Sequence, residues 1–161
     1  MALFGLGKKK QTKTVPPTQP KRIPMVPPVH EVVTSITLTQ SKAFRGYRRL
    51  KISSRNSDII ENNEKYFKQC DWDFSNRTVQ LMVEKIPDVN DVRVLIIVDG
   101  RFLGNLYRND RNAEAIDKIV SGEVDGVFIK YDEKIIDGES YGSEAFVFLH
   151  WPDMGVKVSV K

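Results

Sequence analysis

The chain has 161 residues, 40% apolar and 29% charged, with 10 glycines, 8 prolines and one cysteine; that is enough for one compact core plus a tail but short for two domains. Its formal charge of +4 is uneven: residues 1–30 hold six Lys/Arg and no acid, whereas residues 31–161 hold 19 basic and 21 acidic side chains. The folded part is therefore close to neutral, which argues against a protein that coats nucleic acid and leaves room only for a local basic patch.

Cys70 alone excludes a disulfide framework and any multi-cysteine zinc site, so neither a metal nor a cofactor is expected. The longest apolar run, Val92 to Val98, is interrupted by Arg93 and falls far short of the ~20 residues that cross a bilayer. Met1 to Gly7 is apolar and precedes Lys8, Lys9 and Lys10, the reverse of the order in a secretory signal. These features predict a soluble, cytoplasmic protein with no integral membrane segment.

Six prolines (Pro16, Pro17, Pro20, Pro24, Pro27 and Pro28) lie in the first 28 residues, which show no apolar periodicity. Burial there cannot offset the entropy of ordering, so residues 1–30 read as a disordered, basic, Pro-rich tail ahead of a single domain over residues 31–161. The spacing Pro17-Thr18-Gln19-Pro20-Lys21-Arg22 also fits a polyproline ligand for a protein partner, although the linker reading is the plainer one.

Val33 to Thr39 is β-branched and partly alternating, and Arg49 to Ser53 alternates apolar side chains with cations; both read as strands. Asp58 to Cys70 places Ile59, Asn62, Tyr66, Phe67 and Cys70 near one helical face, but Asn62-Asn63 weakens the helix, leaving a short helix or a loop. Arg77 to Ile86 alternates Val79, Leu81 and Val83 against polar neighbours, Pro87 to Asp91 turns the chain, and Val92 to Val98 follows as a buried strand. Asp99-Gly100 then signals a hairpin returning along Arg101 to Tyr107.

A helix is predicted from Asn109 or Asp110, with a stripe at Ala113, Ile116, Ile119 and Val120 and a stop at Gly122. A strand over Asp125 to Tyr131, an acidic Gly-rich loop over Asp132 to Ser143, and strands over Ala145 to His150 and Val156 to Val160 complete the reading. About seven strands with one or two helices give a mainly β class, a small bent antiparallel barrel.

The segment Asp88-Val89-Asn90-Asp91-Val92-Arg93-Val94, the hairpin Val98-Asp99-Gly100-Arg101-Phe102-Leu103-Gly104-Asn105-Leu106 and the helix that follows resemble, in order and spacing, the HIRAN domain family, best over residues 77–131. The resemblance implies a barrel related to OB and SH3-like folds that binds DNA and captures a free 3′ end of a single strand. By position it assigns Asp88 and Asn90 to the end-binding pocket. Pro87 stands where the end-readers carry an aromatic residue, and Asn105 where they carry His or an aromatic.

The residues alone give a separate argument. Lys42, Arg45, Arg48, Arg49, Lys51 and Arg55 fall within 14 residues that contain no acid, with Phe44 and Tyr47 between them. Guanidinium forks match phosphate oxygens, and an aromatic face stacks a base of any identity. The bland alternative makes these cations the solvated face of a strand.

Tyr66, Phe67, Trp72 and Phe74 read as core, Trp151 as a barrel-closing residue, and His150 as a structural imidazole without a nucleophile to serve. Asp132, Glu133, Asp137, Glu139 and Glu144 lack the spacing of a calcium loop, and there is no phosphate-cradling glycine loop. The sequence thus predicts a non-catalytic module that binds single-stranded DNA or a DNA end through Arg45, Tyr47, Arg48, Arg49, Lys51, Asp88, Asn90 and Asn105. Its rival is a protein-interaction module using an edge strand and the Pro-rich tail, and a weaker third reading makes Met1 to Lys10 a membrane-surface contact.

Overall fold

In the computed structural model, which describes residues 23–40, 46–54 and 57–154, the two-residue period of the central strands becomes a pair of two-sided sheets. The elements run β1 (Val32–Thr39), β2 (Arg48–Lys51), α1 (Asp58–Gln69), β3 (Thr78–Lys85), β4 (Val92–Val98), β5 (Arg101–Tyr107), α2 (Ala113–Val120), β6 (Gly126–Ile136) and β7 (Glu139–His150). One sheet has the order β1-β3-β4-β5 and the other β2-β7-β6, all antiparallel. Val79, Leu81, Val83, Val94, Ile96 and Val98 of the first sheet share one core with Leu50, Val127, Ile129, Val147, Leu149 and Trp151.

The fold is mainly β, as expected, but the sheets are not closed into a barrel. On one side Ser53 and Asn105 exchange two main-chain hydrogen bonds, of 2.8 and 2.9 Å. Gly104 permits that approach: its φ is +151°, and a Cβ there would sit 2.6 Å from both Ile52 Cγ2 and the Ser53 carbonyl oxygen. On the other side β1 and β6 share no ladder. The Ile129 N–H instead donates to Gln40 Oε1 at 3.2 Å, a side chain standing where a strand rung would close the ring.

Asp58 to Gln69 forms a 12-residue helix. Its buried face is Ile60, Asn63 and Phe67: Phe67 is as expected, Ile60 and Asn63 take the places of the expected Ile59 and Asn62, and Tyr66 and Cys70 are only partly buried. The asparagine that weakens intrinsic propensity is the anchor: Asn63 Nδ2 donates to the carbonyls of Met25 and Phe102 at 2.9 and 2.8 Å. Ile60 packs with Leu95, Ile97 and Phe102 on the opposite face of the four-stranded sheet, joined by Val26 and Val29. Met25 also accepts a hydrogen bond from the Phe102 N–H. The ordered fold therefore begins before Glu31, inside the stretch expected to be tail.

Asn109 does accept two N–H groups, those of Arg111 and Asn112, but in a turn that precedes the helix; α2 itself starts at Ala113. The expected acidic loop over Asp132 to Ser143 is instead a continuation of the last two strands into a long hairpin. Asp137 and Gly138 turn it with φ of 51° and 83°, the same left-handed pair as Asp99 and Gly100 at 48° and 79°. The expected strand over Val156 to Val160 lies outside the described residues.

Trp72 stacks on Tyr131 at a centroid distance of 4.0 Å, with Phe67 and Phe74 buried beneath. The Tyr131 hydroxyl donates to Glu64 Oε2 at 3.0 Å. Burial, and then the Glu64 carboxylate, push the phenol above its ordinary value.

Asn63→Ala removes the side-chain donor to the buried Phe102 carbonyl, while the Met25 carbonyl keeps the Phe102 N–H, and should destabilise the protein by about 1–3 kcal/mol in urea denaturation. A change below 0.5 kcal/mol in the measured midpoint energy would show the anchor to be dispensable. Because the Tyr131 phenol titrates higher when folded, its stabilisation is fully present below the unfolded value of about 10 and is lost as pH rises through the folded one. Thermal melting should fall steeply above about pH 10, and Tyr131→Phe should flatten that alkaline limb; an unchanged limb would refute the assignment.

Candidate nucleic-acid interface

Strand pairing fixes which side chains share the second face of the β2-β7-β6 sheet, because alternate residues point to opposite sides. Leu50, Val147 and Ile129 align across the three strands and enter the core. Their neighbours face the other way in register: Arg49 opposite Phe148 opposite Phe128, and Lys51 opposite Phe146 opposite Lys130. Arg49 and Lys51 are exposed, and Phe128 and Phe148 are half-buried. Two adjacent rows thus combine three aromatic rings with three cations.

Contacts across these rows are close. The Arg49 guanidinium lies over the Phe146 ring, 3.9 Å from its centroid, and Phe146 is buried, so the half-buried Phe128 and Phe148 are the rings of these rows with exposed surface. Phe128 and Phe148 meet edge to face at 6.0 Å. One row further along, Gly126 is opposite His150, and the Tyr47 ring covers this pair: its centroid is 5.2 Å from that of His150, and a Cβ on Gly126 would collide with its hydroxyl. His150 Nδ1 lies 2.6 Å from Asp125 Oδ1, so the imidazole has a hydrogen-bond partner on the loop before β6.

Beside this face, Arg49, Lys51, Arg111, Asn109, Asn112 and Glu144 line a cavity of about 510 Å³ between the free edge of β2 and the turn that leads into α2. Lys51 Nζ is paired with Glu144 at 2.9 Å, and Lys130 with Asp132 at 3.6 Å. Among the described residues neither Arg49 nor Arg111 has a carboxylate partner. The electrostatic surplus therefore sits on two guanidinium groups.

The residues singled out from the sequence divide accordingly. Tyr47, Arg49 and Lys51 share the aromatic face. Arg48 points to the other side, where it pairs with Glu114 at 3.0 Å and lies 5.4 Å from the Trp151 ring centroid. Arg45 lies outside the described residues. Asp88 and Asn90 are exposed in the turn between β3 and β4, and Asp88 lines a separate hollow of about 360 Å³ with His30, Glu31 and Lys85. Asn105 lies in the seam between the sheets, its side-chain oxygen buried without a hydrogen-bond partner.

Asp91, the other acid of that turn, serves the fold. The Val92 N–H and then the Arg108 guanidinium hold its carboxyl below the usual range, and Arg108 also reaches Asp117 of α2 at 2.8 Å. Sequence reasoning passed over Phe128, Phe146, Phe148, Lys130 and Arg111. The alternation Phe146, Phe148, His150 was the available signal: three rings at every second position, complementary to the apolar set Ala145, Val147, Leu149.

Among the described residues there is no cluster of His, Cys, Asp or Glu that could hold a metal ion, and no helix long and apolar enough to cross a membrane. Comparison with protein-family models, with curated proteins and with solved structures gives no match, so the arrangement of rings and cations on this face is what speaks to function.

Proposed function

We propose that the chain is a non-catalytic module that binds single-stranded nucleic acid, DNA foremost, on the outer face of the β2-β7-β6 sheet. The observation that carries this reading is the register of the row Arg49, Phe148, Phe128 beside the row Lys51, Phe146, Lys130. A single strand offers unpaired base faces and a charged backbone, and rings interleaved with cations meet both. Duplex, whose bases are already stacked, would gain only the electrostatic part. The resemblance of residues 77–131 to the HIRAN family supports the same ligand class. Asp88 and Asn90, which that resemblance assigns to an end-binding pocket, do not line the cavity beside Arg49.

Ion pairing limits the electrostatic share. Lys51 and Lys130 are partly neutralised by Glu144 and Asp132. With two to three effective phosphate contacts at about −0.7 each for a single strand, log K should fall against log salt with a slope of about −1.4 to −2. Stacking at ~1–3 kcal/mol per base then supplies most of the affinity.

A second reading rests on β1, an edge strand of eight uncharged residues on which Val32 and Val33 are each 49% exposed. Such an edge accepts an added strand from a protein partner.

Fluorescence anisotropy of the full chain with single-stranded DNA, RNA and duplex over a salt series tests the proposal. Phe148→Ala should weaken single-strand binding by about 1–3 kcal/mol. Arg49→Ala should reduce the salt slope by about 0.7, and Arg48→Ala should change neither. Negligible binding to every oligonucleotide would discard the nucleic-acid reading and leave strand addition at β1.

A further inference from the structure

We infer that the cavity beside the aromatic face is a subsite for a terminal phosphate monoester of the bound strand, an inference that rests on the proposed single-strand reading. Charge, access and position carry it.

Charge comes first. The cavity is lined by Arg49, Lys51 and Arg111 against one carboxylate, Glu144. Lys51 and Glu144 satisfy one another at 2.9 Å, leaving the two guanidinium groups as the surplus. An internal phosphodiester carries a single negative charge, whereas a terminal monoester carries about −1.5 to −2 near neutral pH and presents three acceptor oxygens. Two guanidinium groups match the dianion in charge, and their planar forks match it in hydrogen-bonding geometry.

The asparagine oxygens beside the cavity are already engaged and add no acceptor to it. Asn112 is held in place, its Oδ1 accepting from the Asn109 N–H at 2.7 Å and its Nδ2 donating to the Tyr107 carbonyl at 2.7 Å. Asn109 Oδ1 is occupied by the N–H groups of Arg111 and Asn112. Both asparagine oxygens are thus turned to the protein's own amides. Helix α2, whose N-cap is Asn112, begins without a side-chain cap. The cavity of about 510 Å³ admits a phosphate group with its sugar.

Position connects the cavity to the stacking face. Arg49, Lys51 and Phe146 belong to both. The turn bearing Asn109, Arg111 and Asn112 borders the cavity beside β2, which is the edge strand of its sheet. A strand lying across Phe128 and Phe148 toward β2 reaches this cavity as it leaves the sheet.

The test compares four otherwise identical short single strands with the full-length protein: a 5′-phosphate, a 3′-phosphate, both ends hydroxyl, and an internal-phosphate control longer by one nucleotide. One phosphorylated polarity should bind about tenfold more tightly than the hydroxyl-ended strand. Arg111→Ala should bring that ratio close to one, and inorganic phosphate should compete for the phosphorylated strand more than for the hydroxyl-ended one. Binding of all four strands with equal affinity overturns the subsite and leaves the stacking face intact. No binding to any strand overturns the proposed function, and this inference with it. A phosphate preference that survives Arg111→Ala also overturns the assignment to this cavity.

Discussion

Two main-chain hydrogen bonds between Ser53 and Asn105 join the sheets, and much of the molecule's surface chemistry depends on them. They bring the chain segment that ends β2 onto β5, and Gly104 is the residue that lets the two backbones come together. With β2 held there, its pairing to β7 places Leu50 in the core and leaves Arg49 and Lys51 facing outward. A one-residue slip would exchange these roles, burying two cations and exposing a leucine, an arrangement that desolvation of the charges makes untenable. The placement of the basic groups is thus a consequence of core packing.

The aromatic face has a similar origin. β7 is the middle strand of its sheet, so both of its faces are flanked by neighbours. Ala145, Val147 and Leu149 fill the core side with small and branched groups, and Phe146, Phe148 and His150 occupy the other. Arg49 and Lys51 of β2, with Tyr47 just before it, flank them on one side and Phe128 and Lys130 of β6 on the other. Arg49 lies over Phe146, its guanidinium 3.9 Å from the ring centroid, and so helps to bury a large ring on the outer side of the sheet.

Much of the fold was legible in the sequence because its determinants are local. The alternation of Val79, Leu81 and Val83, the turn at Asp99-Gly100 and the stop at Gly122 each report a backbone requirement that nearby residues satisfy. The second Asp-Gly pair, at 137 and 138, carries the same signal but was masked by the acidic composition around it. The helix at Asp58 was ambiguous because Asn63 serves a tertiary purpose, bonding two distant carbonyls, that no propensity encodes. The candidate site was legible only in part. Density of cations between Lys42 and Arg55 pointed to the strand that carries Arg49 and Lys51, but only the register against β7 separates Arg48, which turns to Glu114, from Arg49, which does not. Phe128 and Phe148 lie 20 residues apart in sequence and meet because the hairpin pairs them directly.

The open seam between β1 and β6 gives the molecule an asymmetric mechanical character. Where the other junction is stitched by backbone, this one is crossed by the neutral amide of Gln40 bonded to Ile129, a link of about 1 kcal/mol. Parting the two strands there would break no rung of either ladder, so what holds this seam shut is the core that the two sheets share.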